Sequence, residues 1–125
     1  MESGQLQERI NADEARKVIA TPGAAQVIDL RPQDDFAEAH IASANNVDPD
    51  DLDAAQEDLS KDDPVIVVCG DGKRSAEVAE RLRDEGFDAA SIKGGMSSWM
   101  GDKLPTQPGE DEEYHGPRRP GPLGQ

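Results

Sequence analysis

The chain has 125 residues, a length that fits one domain of ordinary size. Hydrophobic residues make up 34% and aromatics 3%, so the core must be small and built mostly from Val, Ile, Leu and Ala. Acidic side chains outnumber basic ones 27 to 13, a formal net charge of −14 that disfavours nucleic acid and anionic membranes as partners.

Within that acidity, 16 Asp outnumber 11 Glu, and only five of the basic residues are Lys. Such a balance suits molar salt, where self-repulsion is screened within roughly 3 Å. A halophilic source is therefore preferred over an acidic mesophilic one. No apolar run approaches the ~20 residues that span a bilayer. The stretch Met1-Glu2-Ser3-Gly4-Gln5-Leu6 has no basic region followed by an apolar one, so no secretory leader is expected. One cysteine cannot close an internal disulfide, and a reducing cytoplasm is the expected compartment.

The first ten residues are polar and read as a short leading strand or an arm, the arm covering 1–9. Asn11 with Glu14 three residues later predicts a helix start, and Ala12, Ala15, Val18 and Ile19 supply its apolar face. Thr21-Pro22-Gly23 ends that helix. Gln26–Leu30 predicts a strand closed by Arg31-Pro32, and Asp34–Ala39 a turn or two of helix. A loop over His40–Ala44 leads to a short strand at Asn45–Val47. Pro49–Ser60 then predicts a surface helix with Leu52, Ala55 and Leu59 facing inwards.

Pro64-Val65-Ile66-Val67-Val68 is a continuous apolar, β-branched run, the pattern of a strand buried on both faces of a parallel sheet. Cys69-Gly70-Asp71-Gly72-Lys73-Arg74-Ser75 follows, and Ala76–Arg83 predicts a helix with Ala76, Ala79 and Leu82 on one face and Val78 beside them. Gly86 stops it, with Arg81 and Arg83 near the negative end of its dipole. Asp88–Ile92 predicts another strand, and Gly94-Gly95 turns the chain into a short helix reaching Met100. Strands alternating with helices predict an α/β domain whose parallel sheet is covered on both faces. From 105 to 125 prolines, glycines and the acidic run Glu110–Glu113 take over, a tail expected to be disordered or draped on the domain. Tyr114 and His115 within it are a candidate docking motif, with solvated chain the simpler account.

The only cysteine thus lies at the carboxyl end of a buried strand, the edge at which open α/β sheets bind ligands. A tight turn entering a helix gathers backbone N–H groups into an anion-binding concavity. Gly70 and Gly72 permit the positive φ values that such a curl needs. Helix N-termini and neighbouring cations, here Lys73 and Arg74, favour thiolate over thiol, while Asp71 acts against them. A reactive Cys69 is preferred to a buried structural one on this context.

These motifs resemble a single-domain rhodanese, a sulfurtransferase module, over residues 10–104. Val27-Ile28-Asp29-Leu30-Arg31 is similar to that family's strand ending in Asp-x-Arg, and Phe36–Ile41 to its aromatic-x-x-Gly-His-Ile segment. Cys69-Gly70-Asp71-Gly72-Lys73-Arg74-Ser75 matches its Cys-x-x-Gly-x-Arg-Ser loop, and Gly94-Gly95, Trp99 and Leu104-Pro105 its closing elements. Ala39 and Ala42-Ser43-Ala44 depart from the usual Gly and Pro-Gly-Ala. The resemblance implies a doubly wound sheet of about five parallel strands over residues 10–104 and a persulfide on Cys69 as covalent intermediate. It implies a sulfane-sulfur donor such as thiosulfate and an acceptor such as cyanide, a small thiol or a protein thiol. No cofactor or metal is expected.

In this scheme Lys73 helps to bind an anionic donor, Arg74 braces the loop, and Ser75 caps the helix while donating towards the sulfur. Asp29 and Arg31 form a structural pair that fixes the loop's shape, and His40 is structural. A phosphatase or arsenate reductase of related fold needs a longer loop between Cys and Arg than the six residues from Cys69 to Arg74. The alternative within the same chemistry is a sulfur carrier charged by a partner desulfurase, or a docking module.

Overall fold

The computed structural model describes residues 8–20 and 25–109. The helix stop at 21–23 and the Tyr114–His115 pair lie outside them. Chain order runs β1 (Arg9–Ile10), α1 (Ala12–Ile19), β2 (Gln26–Asp29), α2 (Gln33–Glu38), β3 (Ala44–Asn46), a 3-10 turn (Pro49–Asp51), α3 (Leu52–Gln56), β4 (Val65–Val68), α4 (Lys73–Asp84), β5 (Ala89–Ile92) and α5 (Gly95–Gly101). The five strands form one sheet in the order β1-β5-β4-β2-β3, every neighbouring pair parallel. This is the α/β architecture expected from the alternation of strands and helices.

The central strand β4 shows why the sheet is covered on both faces. Successive side chains of a strand point to opposite sides. Ile66 and Val68 therefore join Ile10, Ala15, Val27, Phe36, Met96 and Trp99 on the side of α1 and α5. Val65, Val67 and Cys69 join Ile28, Leu30, Leu52, Val78, Ala79 and Leu82 on the side of α3 and α4. A run apolar at every position is the only pattern that satisfies both layers. Helix α1 starts as its residues dictate: Asn11 Oδ1 accepts the Glu14 N–H at 2.8 Å, and Glu14 Oε1 accepts the Asn11 N–H at 3.0 Å. Such a cap contributes about 1 kcal/mol.

Several elements differ from expectation, α2 by one residue at Gln33–Glu38 and three others as follows. Helix α4 begins at Lys73, earlier than Ala76, and its buried stripe is Ser75, Val78, Ala79 and Leu82, with Ala76 only half-buried. Ser75 completes the i, i+3, i+4, i+7 spacing, but its polarity hides it from a hydrophobic count. The helix expected over Pro49–Ser60 is a 3-10 turn and the short α3, ending at Gln56. Glu57 and Asp58 would place negative charge at a helix C-terminus, and Asp53 with Glu57 is a like-charge pair four apart. Ser60 is instead tied to β2, its N–H donating to Gln26 Oε1 at 2.8 Å and its carbonyl accepting from Gln26 Nε2 at 2.8 Å. The third shift is by one residue, β3 occupying Ala44–Asn46.

His40 has the structural role expected of it. Its buried ring stacks on Phe36 with centroids 3.8 Å apart, and Nδ1 donates to the Phe36 carbonyl at 2.8 Å. The chain beyond α5 closes over this pair. Trp99 Nε1 donates to the Pro105 carbonyl at 2.8 Å, and Gln107 exchanges backbone hydrogen bonds with His40 at 2.8 and 2.9 Å. Residues 105–109 are thereby held against the domain. The two departures from the rhodanese pattern are absorbed nearby. Ala39 has φ −167, extended backbone that any residue adopts, whereas Ser43 holds φ 77, a left-handed value.

Candidate active site

Cys69 directly follows β4, is buried with 6% exposure and is one of the residues lining a cavity of about 780 Å³. The Gly72 N–H donates to Sγ at 3.2 Å and the Ser75 N–H at 3.3 Å. The thiol donates to Ser75 Oγ at 3.4 Å, and that hydroxyl donates to the Gly72 carbonyl at 3.2 Å. Asp71 Oδ1 is 3.8 Å from the sulfur. Two backbone donors converging on one sulfur are what a sulfur anion needs, and they lie in the first turn of α4, where the helix dipole adds to them.

The loop keeps this shape because α5 holds it from behind. Met96 N–H donates to the Cys69 carbonyl at 2.8 Å, and Ser97 N–H to the Gly70 carbonyl at 3.0 Å. A trans peptide points its N–H away from its C=O, so the N–H groups of Gly70 and Asp71 face away from α5. Contact this close needs glycine on both sides. Gly72 has φ +93, and a Cβ there would lie 2.9 Å from the Gly94 nitrogen. A Cβ on Gly95, at φ +58, would lie 2.2 Å from the Cys69 carbonyl oxygen. Gly70 is different: it has no positive φ, and a Cβ on it would meet nothing within 4 Å. The curl is thus made by Gly72 without Gly70.

Several side-chain roles are redistributed. Ser75 does not cap α4: the N-cap position is Gly72, which has no side chain to offer, and Asp71 just before it accepts the Lys73 N–H on Oδ1 at 2.9 Å. Helix α4 starts before Ser75, which leaves that hydroxyl inside the first turn. The Lys73 N–H holds the Asp71 carboxyl below its ordinary value of 3.8. Its hold on the turn is therefore full above pH 3.8 and is lost only as pH falls through the lower value. Lys73 lines a separate groove with Glu8, Arg9, Glu77, Glu80 and Arg83, outside the Cys69 cavity. As the first residue of α4 it projects towards β1. Arg74 is exposed and lines the cavity, and among the described residues nothing pairs with its guanidinium.

No bracing contact of Arg74 to the loop is seen among the described residues, and the arginine that does brace backbone, Arg31, acts elsewhere. Its Nε and Nη2 clamp the fully buried Asp29 carboxylate at 2.9–3.2 Å, and Nη2 also donates to the Ala39 carbonyl at 2.6 Å. Among the described residues no hydrogen bond joins the pair to the 69–75 loop. It fixes the end of β2 and the return from α2, and Arg31 forms part of the cavity wall.

The rest of that wall is Leu30, Pro32, Gln33, Asp35, Asn46, Asp48 and Pro49, residues that the sequence reading did not single out. Most of them follow the carboxyl ends of β2 and β3, and that position is the signal that could have found them. A second cavity, of about 470 Å³, runs along β3 and has no cysteine, histidine or basic residue in its lining. Among the described residues no group of three or more His, Cys, Asp or Glu could hold a metal ion, and no helix is long and apolar enough to cross a membrane.

Ser75→Ala should separate the hydroxyl from the backbone donor, which alanine keeps. Once the Cys69 proton leaves, that hydroxyl can turn from the Gly72 carbonyl and donate to the sulfur. Hydrogen bonds to charged groups are worth about 1.5–3 kcal/mol, so alkylation of Cys69 by iodoacetamide should slow by about ten- to a hundredfold while the fold persists. An unchanged alkylation rate, followed by mass spectrometry, would remove the hydroxyl from the chemistry.

The sheet and its loop define an α/β protein that holds one sulfur atom among backbone N–H groups at the carboxyl edge of a parallel sheet. The chain belongs to the rhodanese-like domain family, whose profile matches residues 11–102. It is 37% identical over 105 residues to YibN of Escherichia coli (strain K12), covering 81% of this chain and 73% of that one. To the thiosulfate sulfurtransferase GlpE of Coxiella burnetii it is 36% identical over 74 residues, 58% of this chain and 69% of the other. The crystal structure of a rhodanese-related protein from Thermoplasma volcanium superposes with TM-score 0.73 at 28% identity, covering 81% and 98% of the two chains.

Proposed function

We propose that the protein is a sulfurtransferase that moves sulfane sulfur from a donor to a thiophilic acceptor through a persulfide on Cys69. The observation that carries this is the pair of N–H donors at 3.2 and 3.3 Å from the sulfur of a cysteine that lines an open cavity. The Cys69 thiolate attacks the outer sulfur of the donor. With thiosulfate, the donor's S–S bond breaks, sulfite leaves with the bonding pair, and the persulfide forms on Cys69. Backbone donors that held the thiolate then face the terminal sulfur or its neighbour without reorganising. An acceptor attacks the terminal sulfur: cyanide leaves as thiocyanate, a thiolate as a new persulfide, and Cys69 returns to thiolate. Among the described residues there is no second cysteine to receive the sulfur internally, so the acceptor must be external.

The test is intact mass after incubation with thiosulfate, on wild type and on Cys69→Ala. Wild type should gain one sulfur, about 32 Da, that cyanide removes, and the variant should gain nothing. Absence of any gain would sink the thiosulfate step. Gain from a desulfurase alone would make the domain a carrier.

A further inference from the structure

We propose that the Cys69 cavity selects sulfur partners bearing a positive charge beside the reacting sulfur, and that the Asp71 carboxylate sets this selection. The inference rests on the sulfur-transfer function proposed above and specifies its partner.

Three observations carry it. The first is the charge of the lining. Asp35, Asp48 and Asp71 come from three different segments around one cavity, and among the described residues none of them is in an ion pair. Against them stand Arg31 and Arg74. Arg31 is cancelled by the buried Asp29 that it clamps, which leaves three carboxylates facing the one guanidinium of Arg74. The second is the direction of Lys73. Its side chain lines the neighbouring groove, among Glu8, Glu77 and Glu80, and not the Cys69 cavity.

The third concerns the seat that an anionic donor would occupy. The start of α4, a helix of twelve residues, turns the Gly72 and Ser75 N–H groups onto the sulfur, with the Lys73 N–H opening beside them. Asp71 already fills part of that seat: its Oδ1 accepts the Lys73 N–H at 2.9 Å and lies 3.8 Å from Sγ. A donor such as thiosulfate would bring its sulfonate towards a carboxylate that holds the site first. A persulfide or thiol with an adjacent ammonium or guanidinium would find those carboxylates complementary. In that case the Cys69 thiolate attacks the outer sulfur of R–S–SH, the donor's S–S bond breaks, and R–S⁻ leaves as the thiol after taking up a proton. The reverse attack by an acceptor thiolate discharges Cys69, and no further oxidant or reductant enters.

The potential at Cys69 is read with aminoethyl, methyl and sulfonatoethyl methanethiosulfonates. In each the thiolate attacks the sulfenyl sulfur, the S–S bond to the sulfonyl group breaks, and methanesulfinate leaves. Rates are normalised to a free thiol. At low salt the cationic reagent should outpace the anionic one on the order of tenfold, falling to about twofold in molar salt. Asp71→Asn keeps the turn, because an amide oxygen can accept the Lys73 N–H, and should lower the preference by about threefold or more. The double variant Asp35→Asn/Asp48→Asn should lower it as well without touching the loop, which keeps the idea open to refutation if Asp71→Asn does not fold.

A normalised ratio near one at low salt would overturn the proposal. So would a ratio unchanged in both folded variants, or no reaction with any reagent, since no partner would then reach Cys69. Sulfur uptake by mass on the same samples separates the two claims: uptake without charge preference removes only the selection, and preference without uptake removes only the transfer. Discharge of the persulfide into cysteamine and into a Lys-Cys-Lys peptide is then compared with a Glu-Cys-Glu peptide. Either cationic acceptor outrunning the glutamate peptide supports the selection, and the faster of the two tells a small aminothiol from a protein segment. Equal rates for all three would count against it.

Discussion

Gly95→Ala should destroy sulfur loading and cost several kcal/mol of stability, although residue 95 never touches the sulfur. The added Cβ would lie 2.2 Å from the Cys69 carbonyl oxygen, 2.7 Å from the Gly72 nitrogen and 2.8 Å from the Gly70 carbonyl oxygen. All three are backbone atoms and cannot rotate aside. The φ of +58 adds a penalty of about 1 kcal/mol for any residue with a Cβ. Relief requires the 69–72 backbone to leave α5, which breaks the hydrogen bonds from Met96 and Ser97 and misaligns the donors on Sγ. Loading should fall by about a hundredfold or more, since displacements near 1 Å at a reacting centre have that effect. Urea unfolding should show a loss of about 3 kcal/mol. A variant that loads sulfur at the wild-type rate would mean that α5 does not position the loop.

Asp29→Ala is the second large effect, and it acts on stability first. Asp29 is fully buried, and Arg31, with 9% of its side chain exposed, has this one carboxylate as its counter-charge. Removing one member of a buried pair typically costs about 3–5 kcal/mol, because the other is left desolvated without its partner. That is a large share of the roughly 5–15 kcal/mol by which domains are stable. Replacing both members with apolar residues, Asp29→Leu with Arg31→Met, should recover much of the loss. Urea midpoints of the two variants provide the measurement. A single variant within about 1 kcal/mol of wild type would show that water reaches the guanidinium and that the pair is not a buried clamp.

These two residues illustrate different degrees of legibility. Asp29 and Arg31 were visible as a pair at a strand end through the Asp-x-Arg resemblance. The place of Arg31 in the cavity wall was not visible, since it depends on where the return from α2 passes. Gly95 stood out only as half of a glycine doublet before a short helix. Its contact with the Cys69 carbonyl joins segments separated by a whole helix and strand, and no local pattern reports such a contact. Lys73 and Arg74 are adjacent in sequence and similar in charge, yet they open into different cavities. Neighbours on a helix diverge by about 100° around its axis, so one of two adjacent cations faces away.

By itself the sequence determined the layer order, the buried strand that ends at Cys69 and the glycine-bearing loop that follows it. Those follow from short-range causes: β-branched runs, a helix cap at Asn11, glycine at Gly72, and a cysteine where a strand meets a helix. Only the tertiary structure decided which cations face the sulfur, which residue caps α4 and what supports the loop from behind. These depend on contacts between elements distant in sequence, where the rotation of a helix by a single residue exchanges one side chain for another.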